Sequence, residues 1–394
     1  MVIKDEYDII VVGAGPSGSS AAKKAAEQGL KVLLIEKRQE IGEPIRCGEA
    51  VFKKSLIEII KPDPKCICSK IFCGRVYGPD GRSINLTSNG NEIGYVLYRN
   101  IFDRELVRSA AASGVEVRTK TSATSLIIKN GIVTGIKGKH LGDDFMSYAK
   151  IVVGADGIES KIGRMAGIDT ALKLNEIGTC AQYHVSDINI DPSVVELYSG
   201  RYIAPGGYAW VFPKGEREAN IGIGMIGKYV RDKHPVDHLN DFISKKFPDG
   251  KIIGYMAGGV PSRDIPERIS TGGLLLAGDA ARLCDPLTGA GIINGIKSGN
   301  IAGEVASKAI ISGDVSAKAL QEYDREIWRS MGISLQRNHI MKEAMIRMTD
   351  GQYSLIIDML KAMGIERIDA NDFLGNIYTK GAISFSLLSL FLRI

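Results

Sequence analysis

Long apolar runs are scarce in this chain. The longest, "AISFSLLSLFL" from Ala382 to Leu392, falls far short of the ~20 residues that a membrane-spanning helix needs. Cysteine is scarce as well. Six cysteines, at positions 47, 66, 68, 73, 180 and 284, are too few to staple a 394-residue fold. Cys66-Ile67-Cys68 has no C-x-x-C pair to complete it, so no metal site is expected. A reduced, cytoplasmic setting follows. There is no block of Lys and Arg, and a net charge of +5 is spread thinly, so no nucleic-acid partner is expected. The opening "MVIKDEYDIIVVG" runs directly into a strand and lacks a signal-peptide pattern. Internal repeats and low-complexity segments are missing too. What is present is a chain with 44% hydrophobic residues, enough for a large core in two or three domains.

The first 36 residues carry a strand–turn–helix–strand pattern. Asp8–Val12 reads as a buried strand, Ser17–Gln28 as an Ala-rich helix stopped by Gly29, and Lys31–Glu36 as a second strand. Between them lies Gly13-x-Gly15-x-x-Gly18. Gly13 serves the tight turn, Gly15 lets a pyrophosphate approach the backbone, and Gly18 permits close helix–sheet packing. The helix N-terminus presents partial positive charge to the phosphates. Glu36, ending the second strand, can accept hydrogen bonds from an adenosine ribose, which argues against a 2′-phosphate there.

Gly222-Ile-Gly224-Met-Ile-Gly227 repeats the spacing in the wrong context. It sits in an alternating stretch, "GYAWVFPKGEREANIGIGMIG", that reads as an antiparallel hairpin. We read it as a sheet edge or cavity wall, which removes the obvious second dinucleotide site. Further along, residues 99–112 read as helix, 115–119 and 124–128 as strands, and "AKIVVGADG" as a strand ending in a turn. Period-two alternation prevails over 176–261, and beyond 315 the pattern is charged and helical. Two segments point to flavin. "GADGIES" sets Asp156 in a turn after a strand. "LLLAGDAARLCDPLTGAGI" sets Asp279 at a strand end, followed by a helix-like glycine-rich stretch. An Asp there can hold ribityl hydroxyls, and the backbone N–H groups after it can meet phosphate or the flavin's pyrimidine edge.

These segments together resemble the FAD-binding proteins of the p-hydroxybenzoate hydroxylase fold. Within it, "RCGEA" and "YAWVFPKG" resemble the geranylgeranyl reductase family, over roughly residues 7–300. The fold expected is α/β. A Rossmann-like FAD-binding domain (1–75, 95–170 and 270–315) is interleaved with an antiparallel-sheet substrate domain (76–94 and 171–269), and a helical C-terminal region (316–394) follows. For FAD the resemblance implies Gly13, Ala14, Gly15, Pro16, Gly18, Glu36 and Lys37 on the ADP side, with Ala123 against the adenine. It implies Arg46, Cys47 and Ala50 beside the flavin, Asp279, Gly291 and Ile292 around ribityl and isoalloxazine, and Gly48, Arg99, Asp156 and Gly289 near the cofactor. Ala50 departs from the glycine frequent in the family, and its methyl narrows the site.

The activity implied is saturation of geranylgeranyl chains of a prenylated glycerophospholipid in archaeal membrane-lipid synthesis. An isoprenoid alkene has no carbonyl to accept electrons. Hydride delivered to one carbon therefore needs a proton at the other and stabilisation of developing positive charge. Cys47 either delivers the proton, since a thiol with the usual pKa of about 8.5 keeps its proton at neutral pH, or holds the alkene or flavin geometry. Glu49 either re-protonates Cys47 or fixes the loop. Arg46 anchors cofactor charge, since guanidinium does not release its proton. Tyr208, Trp210 and Phe212 alternate onto one strand face. As a substrate wall, with Gly222 and Gly224 beside them, they would offer π faces to positive charge; as plain core they would only pack. An external electron donor is expected, either a ferredoxin or another reductant, with NAD(P)H open. The apolar tail suits burial, a lid or peripheral membrane contact equally. Two other functions remain open: a flavin monooxygenase or halogenase of the same fold, and a flavin-holding lipid binder without turnover.

Overall fold

The computed structural model describes residues 3–362 and the short strand Arg367–Asp369; the apolar tail Ala382–Leu392 lies outside the described residues. Two compact units form. Met1–Ile45, Arg99–Leu172 and Pro261–His339 make the first, and Arg46–Tyr98, Lys173–Val260 and Ile340–Ile394 the second.

In the first unit the apolar runs become a parallel sheet. Glu6–Val12 pairs in parallel with Val32–Ile35 on one side and with the end of Asp143–Gly154 on the other. Glu116–Arg118 extends the sheet beyond Val32–Ile35, and Leu274–Leu276 extends it beyond Asp143–Gly154. Strands covered on both faces read as unbroken apolar runs, and Ile9, Ile10, Val11, Leu33 and Leu34 have no exposed surface. The outer half of Asp143–Gly154 pairs antiparallel with Ile132–His140, which pairs with Thr121–Lys129.

Gly15 caps the helix Pro16–Ala26, with Pro16 as its first residue, where a missing N–H costs nothing. This helix stops two residues before the expected Gln28, and Gly29, at φ +79°, closes its end. Arg99–Ala112 forms the helix expected there. The long helix Ile292–Ser312 lies so close to Pro16–Ala26 that backbone meets backbone. A Cβ on Gly299 would overlap the Ser17 carbonyl, and one on Gly303 would fall 2.5 Å from the Ala21 carbonyl oxygen. The helix expected soon after Asp279 begins only at Ile292. Gly278–Ala281 makes a single 3₁₀ turn and Arg282 is left-handed at φ +57°. The Asp285 carboxylate then accepts from the N–H groups of Leu287 and Thr288, each at 2.9 Å, a local turn that competes with helix.

The second unit is built on a sheet ordered Lys251–Pro261, Ile177–Ser186, Glu218–Ile226, Tyr208–Pro213, Val194–Ser199, Cys73–Tyr77, Ser83–Thr87 and Arg367–Asp369. Its two faces differ. Directly paired residues share a face, so Ala181, Ile223 and Ala209 lie together, as do Tyr183, Ile221 and Val211. This face is sealed by Leu239, Ile243 and Phe247 at the helix Pro235–Lys246. The opposite face carries Cys180, Gly224 and Tyr208 in one row, Gln182, Gly222 and Trp210 in the next, and His184, Asn220 and Phe212 in the third. Polar, glycine and aromatic residues have collected on this face, where Gln182, Asn220 and Trp210 are buried. A small sheet of Ala50–Phe52, Gly94–Leu97 and Ile67–Ile71 completes the unit.

Candidate functional site

The sequence-predicted residues fall into two groups, one in each unit. The first unit holds the glycine turn at Gly13–Gly18 and the acids expected beside it. Gly13 stands at φ +106°, and a Cβ there would overlap the Ala155 carbonyl; only glycine fits both demands. A Cβ on Gly18 would overlap the Gly13 carbonyl, so helix and turn touch through bare backbone. Gly15 is different, with no protein atom within 4 Å of where its Cβ would stand. Glu36 braces the turn, accepting from the Ala14 N–H at 3.1 Å and the Arg38 N–H at 3.0 Å. Lys37 is exposed, its ammonium on Glu159 at 3.1 Å. Ala123, on the strand Thr121–Lys129, packs half-buried against the core.

Asp156 receives the Ile162 N–H at 3.1 Å, and its other carboxylate oxygen is buried without a hydrogen-bond partner. Burial pushes this carboxyl above its ordinary range. Asp279 is pushed up to about 6 by burial, offset in part by the Arg99 charge. Arg99 itself forks onto Asp103 with two bonds of 2.9 Å. A Cβ on Gly291 would stand 3.1 Å from an Asp279 oxygen, and Gly291 caps the helix that Ile292 opens. Gly289 is left-handed at φ +71°. Open space at Gly15, an orphaned oxygen on Asp156 and a helix start with no side-chain cap are features that fit a dinucleotide. The pyrophosphate would meet the turn and helix N-terminus, and hydroxyls would meet the acids.

The second unit holds the thiol loop. Arg46 is exposed, Cys47 and Gly48 are half-buried, and Glu49 is 2% exposed. Ala50 starts a strand and packs its methyl against Ile71, Ile93 and Val96, together with Phe212. The loop ends on a left-handed Glu49, φ +75°, a conformation uncommon for a residue with a side chain. The Glu49 N–H donates to the Cys47 sulfur at 3.2 Å. Tyr208, Trp210 and Phe212 form a ladder with ring centres 5.9 and 6.0 Å apart. Gly222 makes room for the Trp210 indole, which a Cβ would overlap; Gly224 faces the Cys180 sulfur. The sheet-edge reading of these glycines is corrected, because Glu218–Ile226 is paired on both sides.

Four residues escaped sequence reasoning. Lys214 donates to the Glu49 carboxylate at 2.7 Å, with side chains only 6% and 2% exposed, and to the Leu97 carbonyl at 2.9 Å. Its ammonium also lies 4.3 Å from the Tyr98 ring centre. Asn220 donates to Glu49 at 2.7 Å. Gln182 accepts from the Trp210 indole N–H at 2.9 Å and donates to the Cys47 carbonyl at 3.4 Å. Burial first, and the nearby Cys47 second, push the Cys180 thiol up to about 12, so it keeps its proton. Asn220 and Gln182 did leave a faint trace, as polar residues inside otherwise apolar alternation. Lys214, one residue past Pro213, left none.

Comparison with known proteins shows what the chain is similar to. Residues 176–260 match the geranylgeranyl reductase catalytic domain, and residues 8–43 match the FAD dependent oxidoreductase family. The digeranylgeranylglycerophospholipid reductase of Methanocella arvoryzae is 51% identical, covering 96% of this chain and 97% of its own. A geranylgeranyl bacteriochlorophyll reductase-like protein of Thermoplasma acidophilum superposes with a TM-score of 0.93 at 38% identity, covering 99% of each chain. A flavin-dependent brominase at 19% identity and a TM-score of 0.73, covering 90% of this chain and 94% of its own, shares the fold.

Proposed function

The chain belongs to the geranylgeranyl reductase family, and we propose that its Cys47 thiol protonates the alkene as that alkene is reduced. It is an FAD-dependent oxidoreductase saturating isoprenoid double bonds of digeranylgeranylglycerophospholipids, a step of lipid biosynthesis. FAD, when bound and reduced, would supply a hydride equivalent, two electrons with one hydrogen, so that a single further proton completes each saturation. Gly13, Gly15, Gly18, Glu36, Asp156 and Asp279 would hold it.

The observation that carries the proposal is the Cys47 loop, closed by a strained Glu49 and joined through Gln182 to the aromatic ladder. Cys47 gives its S–H proton to one alkene carbon as the π bond opens, a C–H bond forms there, and the thiolate regains a proton from water once the product has left. Tyr208, Trp210 and Phe212 line the path of the prenyl chain, exclude water and offer π faces to positive charge on the tertiary carbon. Glu49 fixes the loop, because its carboxylate is engaged by Lys214 and Asn220.

The substrate is a prenylated glycerophospholipid, and an external reductant restores the electrons. A ferredoxin or similar carrier suits that role, since the second glycine motif lies in an antiparallel strand; brief NAD(P)H contact is the competing source. Among the described residues no helix is long and apolar enough to cross a membrane. The two long chains of the substrate favour peripheral contact with a lipid surface. The test is anaerobic incubation of dithionite-reduced protein with digeranylgeranylglyceryl phosphate, followed by mass spectrometry. Mass gains in two-hydrogen steps are expected, and Cys47→Ala and Cys47→Ser should retain FAD while losing most of them. Full turnover in both variants removes Cys47 from the chemistry.

A further inference from the structure

Each residue of Cys47-Gly48-Glu49 has its own holder on one face of the second unit's sheet. Gln182 donates to the Cys47 carbonyl at 3.4 Å, Asn220 to the Gly48 carbonyl at 3.4 Å, and Asn220 and Lys214 both donate to the Glu49 carboxylate at 2.7 Å. Phe212 closes the remaining space, since a Cβ on Gly48 would come within 2.9 Å of its ring. The three holders come from three separate places: Gln182 from Ile177–Ser186, Asn220 from Glu218–Ile226, and Lys214 from just beyond Tyr208–Pro213.

This arrangement is expensive in physical terms. Glu49 and Lys214 are both out of water, and burying an ion pair gains little over apolar packing of the same volume. Glu49 is also left-handed, where glycine would be unstrained. A glycine would secure the turn alone, so the carboxylate must serve some purpose beyond the turn. What it adds is a rigid tie at the residue whose N–H reaches the Cys47 sulfur.

We propose that Gln182, Asn220 and Lys214 are positioning residues, a three-point clamp that fixes the direction in which the Cys47 thiol presents its proton. None of them delivers a proton. Gln182 has a second duty, because it also accepts from the Trp210 indole N–H at 2.9 Å. Displacement of the indole by a prenyl chain is thereby transmitted to the Cys47 carbonyl. This inference rests on the reading of Cys47 as proton donor, and its test separates the two.

Two variants are compared with wild type as FAD-loaded protein: Gln182→Leu and the double variant Glu49→Gln/Lys214→Met. The double variant removes both charges together, so no lone buried charge unfolds the protein. Each is assayed for kcat and KM on digeranylgeranylglyceryl phosphate. In the oxidised protein, the rate of iodoacetamide labelling of Cys47 is read by peptide mass. The clamp predicts a kcat about tenfold lower with KM within about twofold, and a changed labelling rate of Cys47 at nearly unchanged melting temperature. A lowered melting temperature with wild-type kcat and wild-type Cys47 labelling assigns these residues a merely structural role and overturns the proposal. Should Cys47→Ala keep full turnover, the proton-donor reading falls, while the labelling rates still decide whether the clamp exists.

Discussion

The chain writes the same glycine spacing twice, and the two copies do opposite things. At Gly13, Gly15 and Gly18 the missing side chains bring backbone against backbone and leave open space at Gly15. At Gly222 and Gly224 the missing side chains are filled by the protein's own groups, the Trp210 indole and the Cys180 sulfur. One copy leaves the place of a Gly15 Cβ clear of protein atoms, and the other is a socket for the protein's own side chains. Spacing is silent on this difference; the neighbours of each missing Cβ decide it.

Four substitutions put that contrast to the test, taken in order of their effect on folded stability. Gly18→Val should be the most damaging, because the added carbons collide with the Gly13 backbone, which cannot swing aside as a side chain can. A loss above ~3 kcal/mol is expected, seen as protein that purifies colourless and melts early. Gly222→Ala should cost about 1–3 kcal/mol, the usual price of overpacking, since the indole can tilt. It should retain its flavin absorbance and lose turnover, and a colourless Gly222→Ala protein would erase the distinction between the two motifs.

Asp279→Asn tests the cradle by pH. The folded Asp279 pKa of about 6 lies above its ordinary 3.8, so the folded state holds the proton more tightly. The wild-type carboxyl therefore costs stability as pH rises from about 4 through about 6, and nothing below that window. The variant lacks this penalty. In apoprotein, the melting-temperature difference between variant and wild type should grow across the window, equivalent to on the order of 1–3 kcal/mol. A constant difference would remove Asp279 as the source. Gly15→Ala should do least to the fold, under ~1 kcal/mol for a helix-cap exchange, because its Cβ meets no protein atom. FAD affinity, measured by fluorescence titration, should nonetheless fall about tenfold or more, at least ~1.4 kcal/mol.

The cradle was legible because its parts are local: strand, turn, helix and Glu36 fall within 31 residues, and each residue type answers a demand of the turn itself. The aromatic ladder was legible for a similar reason, since period two places Tyr208, Trp210 and Phe212 on one face whatever the tertiary fold. The clamp was not. Gln182 is 135 positions from Cys47, and Lys214 is 165 from Glu49. No local pattern records a pairing made by sheet register and a buried charge. Nor does a sequence announce that a glutamate will occupy the left-handed region. The delayed helix at Ile292 was misread for the opposite reason. Its glycine-rich lead-in looked helical, whereas an Asp285 turn takes up the backbone donors first.

Gly299 and Gly303 lie mid-helix, where anyone trying to toughen this enzyme would naturally write alanine for its better propensity. Both positions are closed, since each glycine rests on the main chain of Pro16–Ala26, the helix that opens behind the Gly13 turn. Attempts at heat-hardening must therefore go elsewhere, and a survey of tolerated replacements should find these two buried glycines among the least forgiving sites in the chain.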